Sequence, residues 1–272
     1  MKDKFKIKII SFNIWDLPIL FVNRKKGRRK RIDLLREYLN ELDADIICLQ
    51  ESFDIKHRKL IYNSLVSKGY YATDGMNKGR LVPMAYMDTT GGLVIFSKFK
   101  IIEEKFVPFK IFEYSVFEYF GRKGVLEAVV ETPVGLLHVI NTHLHSGEYN
   151  FDKKIRLSQL NRVFKVANEK RGMPIVFTGD LNQHAIIDNK EFDVLSEHNF
   201  VHPVLEKGAI PKPTYRRDNP FVNGFINRSS KRLDYIFVRH LEKYNLNVVK
   251  YSPIHLKPAV SDHDPVLIFL ST

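Results

Sequence analysis

The sequence predicts an α/β fold in which sheet is covered by helices. Short runs rich in β-branched and aromatic residues alternate with stretches whose apolar residues recur at helical spacing. A polar cluster follows nearly every apolar run, which places the chemistry at strand ends. The expected strands are Phe5–Phe12, Ile46–Leu49, Leu93–Ser97, Val125–Glu131, Leu136–Thr142, Ile175–Thr178, Tyr235–Val238 and Val266–Leu270. One helix is expected through Ile32, Leu35, Tyr38, Leu39 and Leu42, and another through Ile155, Leu160, Val163, Phe164 and Ala167, with Asp152 as N-cap. A shorter helix through Leu60, Ile61 and Leu65 should close at Gly69. Periodicity leaves open whether there is one sheet or two.

With 272 residues and 44% hydrophobic content, the chain can bury one large core, and a single domain over residues 1–272 is expected. Its 43 Lys+Arg against 31 Asp+Glu give a net charge of +12, which suits nucleic acid or an anionic membrane surface, or simply a solvated basic exterior. The single cysteine, Cys48, excludes an intramolecular disulfide and a zinc-thiolate cluster. The apolar run from Ile7 is broken by Lys8, Ser11, Asn13, Asp16 and Pro18, so it reads as a strand and not as a signal peptide. No uninterrupted run of about 20 apolar residues predicts a transmembrane helix. A monomer is expected, cytoplasmic or peripheral at a membrane, or secreted if a cleaved signal once preceded it. Leu81–Met87 and the aromatic-rich Phe106–Phe120 read as core strands, with a contact rim as the alternative.

Six polar islands occupy the predicted strand ends. They are Ser11-Phe12-Asn13, Leu49-Gln50-Glu51, Asn141-Thr142-His143, Thr178-Gly179-Asp180-Leu181-Asn182, Leu233-Asp234 and Ser261-Asp262-His263-Asp264-Pro265. Each alone fits an ordinary strand-end turn. Together they predict one site. Hard oxygen ligands, Glu51, Asp262, Asp180, Asn13 and Asn182, favour Mg²⁺, with Mn²⁺ as a substitute. His143-Leu144-His145 could instead form a zinc pair, but no cysteine is available to complete it. A metal and hydrogen-bond donors would stabilise charge at phosphorus, and a positioned base would activate water.

In order and type these islands resemble the magnesium-dependent endonuclease/exonuclease/phosphatase superfamily, over nearly the whole chain from Asn13 to His263. The TGDLN and SDHDP islands are the most specific. The resemblance implies a four-layer α/β/β/α sandwich with two mixed sheets packed face to face. It implies Glu51 as main metal ligand with Asn13 and Asp262, and His263 as general base with its tautomer held by Asp234. Asp180 would position the nucleophile, and Asn182 and His143 would bind the phosphoryl oxygens.

Finer features resemble the neutral sphingomyelinase branch. Phe12-Asn13-Ile14-Trp15-Asp16-Leu17-Pro18 looks like its opening, and Asn141-Thr142-His143-Leu144-His145 with Glu148-Tyr149 looks like its His-containing stretch. Gly121-Arg122-Lys123-Gly124 resembles its lysine loop, which adds Lys123 as a phosphate-binding candidate, with Glu118 nearest to the branch's acidic switch residue. The branch implies hydrolysis of sphingomyelin, a phospholipid substrate. The alternatives are a nuclease or other phosphoesterase, and a silent binding module. The run Arg24–Arg31 is expected to meet an anionic surface, with Arg28, Arg29 and Arg31 as its contacts.

Overall fold

The computed structural model describes residues 5–17, 27–73, 79–82, 85–88, 90–110, 121–170, 172–184, 190–204, 212–222 and 229–272. The chain runs from β1 (Lys6–Asp16) through α1 (Arg28–Leu42) to β2 (Ile46–Ser52), α2 (Ile55–Val66) and the short β3 (Tyr71–Ala72). An antiparallel pair, β4 (Gly79–Val82) and β5 (Ala85–Asp88), precedes β6 (Val94–Ser97), β7 (Lys100–Pro108), β8 (Gly124–Thr132) and β9 (Gly135–His143). Then come α3 (Asn150–Glu169), β10 (Ile175–Asp180), α4 (Lys190–Glu197), β11 (Asp234–Arg239), β12 (Asn247–Pro253) and β13 (Val266–Ser271).

Two mixed sheets result, ordered β12-β13-β1-β2-β6-β3 and β11-β10-β9-β8-β7. In each, a helix joins a parallel pair: α1 joins β1 to β2, and α3 joins β9 to β10. Strand alternation then sorts the side chains into layers. Ile7, Ile9, Cys48 and Ile95 from the first sheet meet Leu126, Ala128, Val139 and Val176 from the second in a core between the sheets. On the outer face of the first sheet, Ile10, Phe12, Ile47 and Leu49 pack on α1 and α2 through Ile32, Leu35, Ile61 and Leu65. On the outer face of the second, Ile140, Ile175 and Phe177 pack on α3 through Leu160, Val163 and Phe164. This is the four-layer sandwich the sequence resemblance implies.

A polar bolt crosses the inter-sheet core just below the strand ends. Gln50 donates to Asn141 Oδ1 at 2.7 Å, and Asn141 donates to the Leu49 carbonyl at 2.9 Å. Both side chains are fully buried, so these bonds offset a desolvation cost and fix the register of the two sheets.

The eight strands expected alongside the helices all form, most of them extended by a residue or more. Four elements escape periodicity. The edge strands β7 and β12 fully bury none of their residues and carry little apolar pattern. β3 is two residues long, and α4 eight. Gly79–Val82 and Ala85–Asp88 form strands that pair with each other and not in either core sheet; of 106–120, Phe106–Pro108 end β7, Phe109 is buried, and 111–120, with Glu118, lie outside the described residues. Asp152 is not the N-cap of α3. Tyr149 holds that position, and Asp152, three residues on, accepts from the Tyr149 backbone N–H at 2.9 Å. Gly69 takes a left-handed φ of 85° after α2, as a closing glycine requires. Among the described residues, no helix is long and apolar enough to cross a membrane.

Candidate active site

The carboxyl ends of parallel strands open a crevice where chemistry collects. Here β1, β2, β9 and β10 point the same way across the two sheets. They end at Asn13–Asp16, Glu51, His143 and Asp180. The antiparallel neighbours β11 and β13 begin at that same end, with Asp234 and the residues just after His263. All six islands therefore meet at one rim.

Asn13 ties the sheets together. Its Nδ2 donates to Glu51 Oε1 and to Asp180 Oδ2, each at 3.0 Å, and its Oδ1 accepts from the Trp15 backbone N–H. His263 Nδ1 meets Asp234 Oδ2 at 2.7 Å, while its Nε2 lies 3.7 Å from Asp180 Oδ2, beyond hydrogen-bond range. With Nδ1 donating to the carboxylate, the lone pair of the neutral ring sits on Nε2, facing the crevice. Ser261 fixes the loop: its hydroxyl donates to the Asn13 carbonyl at 2.6 Å and accepts from the His263 N–H at 3.1 Å. His143 Nε2 lies 3.6 Å from Asp180 and 3.9 Å from Glu51, with Lys123 Nζ at 3.2 Å. Lys123 and the Asn182 side chain both donate to the Leu144 carbonyl, at 2.8 and 2.9 Å. Asn182 also caps Asp180, its backbone N–H donating to Oδ1 at 2.8 Å.

The electrostatics are those of carboxylates crowded away from water. Burial raises Glu51, and raises Asp180 and Asp262 to about 6, against the partial relief given by His263. Burial alone would lower the His263 imidazole. The carboxylates of Asp234, Asp180 and Asp262 outweigh it and hold the ring well above its ordinary value. Glu51 Oε2 is buried with no hydrogen-bond partner. Glu51 also sits at a left-handed φ of 56°, a conformation non-glycine residues adopt at a cost of roughly 1 kcal/mol or more. An orphaned carboxylate oxygen, strained backbone and uncompensated negative charge at one point fit a divalent cation held by oxygen. Asp180, Asp234 and His263 bring ligand atoms within 4.8 Å of one another, but the Asp234–His263 hydrogen bond engages one atom of each, whereas Glu51 Oε2 has no partner and is free to ligate a cation.

The zinc alternative fails on geometry. His143 faces the crevice, whereas His145 lies beyond the strand and bonds Asp152 at 2.8 Å. The basic run is also put to a different use. Arg28 pairs with Asp16 at 2.7 Å and with Asp54 at 3.2 Å. Arg31 is largely buried, donating to the carbonyls of Ile14, Trp15 and Val260. Both guanidiniums clamp the end of β1 beneath the site and so cannot face a membrane; of the three arginines, Arg29 is exposed, and Arg24–Lys26 lie outside the described residues. That structural need outweighs the unfavourable charge at the start of α1.

Sequence patterns gave no sign of Tyr215. It forms a backbone bridge to His263 and sets its ring edge-on to the imidazole at 5.2 Å. Gly179 is explained by space: a Cβ there would lie 2.3 Å from the Thr142 carbonyl on the neighbouring strand. Gly179→Ala should therefore push β10 away from β9, displace Asp180 and cost about 3 kcal/mol or more, read as a lower midpoint in urea. An unchanged midpoint would show that the strands separate without penalty.

A model of the Endonuclease/Exonuclease/phosphatase family matches residues 10–263. The putative neutral sphingomyelinase of Drosophila melanogaster is 24% identical over 289 residues, 96% of this chain and 60% of that protein. The chain spans about half the length of the curated relatives it matches. A Staphylococcus aureus beta toxin variant solved with bound magnesium ions has a TM-score of 0.72 at 23% identity, covering 97% of this chain and 99% of that one. D. rerio TDP2 complexed with single strand DNA product has a TM-score of 0.70 at 19% identity, covering 98% and 99%. The two structures establish the likeness of fold.

Proposed function

The chain belongs to the Endonuclease/Exonuclease/phosphatase family, and from that premise we propose that it is a Mg²⁺-dependent phosphodiesterase that hydrolyses sphingomyelin to ceramide and phosphocholine. The observation that carries the catalytic part is the buried Asp234–His263 pair, 2.7 Å apart, with Nε2 directed into a crevice of oxygen ligands. Glu51, Asp262 and Asn13 would hold the metal, which when bound would supply charge stabilisation to the phosphoryl and departing oxygens.

His263 Nε2 takes a proton from water as its oxygen attacks phosphorus, and Asp234 keeps the ring in the tautomer that can accept it. Asp180, beside the imidazole, orients that water. Asn182, His143 and Lys123 line the side of the crevice where the phosphoryl oxygens would lie, and they donate to them. As the new P–O bond forms, the bond to the ceramide oxygen breaks, that oxygen takes a proton from solvent, and His263 returns to solvent the proton it received from the attacking water.

Sphingomyelin is the preferred substrate because of the FNIWDLP opening and the NTHLH stretch with Glu148-Tyr149, together with the sphingomyelinase relative. The second reading is an endonuclease or other phosphoesterase. It is favoured by the net charge of +12 and by the likeness to the DNA-bound TDP2 fold. The purified protein with Mg²⁺ should release phosphocholine from sphingomyelin micelles and leave phosphatidylcholine, plasmid DNA and RNA largely intact. Background phosphocholine release alongside nicked DNA would reject the lipid reading and establish the second.

A further inference from the structure

Large apolar side chains are seldom left in water two at a time without a reason. Tyr149 is 82% exposed and Phe151 67%, and they lie within one turn at the start of α3. Lys153 and Lys154 beside them are also exposed. The acidic groups nearby are already engaged: Glu148 pairs with Lys231, and Asp152 bonds His145 and the Tyr149 N–H. Counting Lys231, three lysines face the two carboxylates, so the patch is aromatic and net cationic.

Its position follows from topology. A helix that crosses between parallel strands runs antiparallel to them. The N-terminus of α3 therefore sits at the carboxyl ends of β9 and β10, where His143 and Asp180 open the site. A short chain of contacts ties the patch to that rim. Glu148 reaches Lys231, Lys231 exchanges backbone hydrogen bonds with Tyr215 at 2.8 and 2.9 Å, and Tyr215 bridges to His263.

We propose that Tyr149 and Phe151, flanked by Lys153 and Lys154, form an interfacial anchor that seats the active-site rim on a phospholipid surface. The inference rests on the phospholipid reading of the site. Aromatic rings settle at the headgroup level, and lysine ammonium groups meet the headgroup phosphates. A sphingomyelin headgroup in the same leaflet would then be presented to the crevice.

The test is co-sedimentation with phosphatidylcholine vesicles, with or without sphingomyelin, for the wild-type chain, the Tyr149→Ala/Phe151→Ala double variant and Phe151→Ala alone. The single variant leaves the capping residue of α3 untouched, and thermal melts confirm that each variant folds. Phe151→Ala should weaken partitioning roughly tenfold and the double variant further, from the loss of apolar area. Hydrolysis of the water-soluble bis(4-nitrophenyl) phosphate should not change. Variants that sediment like wild type would overturn the proposal. So would a wild-type chain that ignores both vesicles but binds a single-stranded oligonucleotide through these rings, the behaviour of a stacking platform. Ring-dependent vesicle binding without any sphingomyelin turnover would uphold the anchor and reject the substrate assignment alone.

Discussion

His263→Ala should lower turnover of any accepted phosphodiester by ~10²–10⁴-fold, the usual contribution of a positioned base. It should also lower the melting temperature, because the imidazole is the hydrogen-bond partner of a wholly buried carboxylate. Asp234 is 0% exposed, its Oδ2 depends on His263, and its Oδ1 has no partner. Removing the ring strands that charge, at a cost of about 3–5 kcal/mol. Asp234→Asn alone should be nearly as inactive as His263→Ala, since an amide that donates to Nδ1 turns the ring to the wrong tautomer. Combining the two changes should reduce activity little further and should restore much of the lost stability, because no buried charge is then left alone. Independent, multiplying losses of activity would mean that Asp234 does not act through His263. A double variant no more stable than His263→Ala would mean that the carboxylate is not stranded.

The strands and the site islands were legible for the same reason. Buried strands such as Ile175–Asp180 open on an unbroken apolar run, here Ile175-Val176-Phe177, so a polar group at their ends stands out against it. The same contrast exposed Asn13, Glu51, His143, Asp180, Asp234 and His263, which the structure brings to one rim. β7 and β12 were not legible because an edge strand faces solvent and needs no apolar alternation. The purpose of Arg28 and Arg31 was hidden too. Local charge said surface, but their carboxylate and carbonyl partners lie at the end of β1 and, for Arg31, at Val260, more than 200 residues away in sequence. Tyr215 illustrates the limit: nothing in its neighbourhood in sequence distinguishes it from an ordinary loop tyrosine, and only the pairing of its backbone with His263 gives it a place.

Glu51→Gln should separate the metal from the fold. The substitution keeps the shape of the side chain and its acceptor for Asn13, and it removes a buried negative charge from beside Asp180 and Asp262. Without added metal, the variant should be more stable than wild type by about 1 kcal/mol, because the repulsion and desolvation that raise Glu51 disappear. With Mg²⁺ the order should reverse. A ligand at a hundredfold its Kd stabilises the folded state by about 2.7 kcal/mol, or roughly 5–10 °C in Tm for a chain of this size. Wild type should show that shift and lose it again on addition of EDTA, while Glu51→Gln should show little or none. Phosphodiester hydrolysis in the variant should fall with the metal, by roughly 10³-fold. Differential scanning fluorimetry reads the stability arm without reference to any substrate. An equal Mg²⁺-induced shift in both proteins would place the ion away from Glu51. A metal-free variant less stable than wild type would mean that the strained, buried carboxylate at the end of β2 serves the fold rather than a cation.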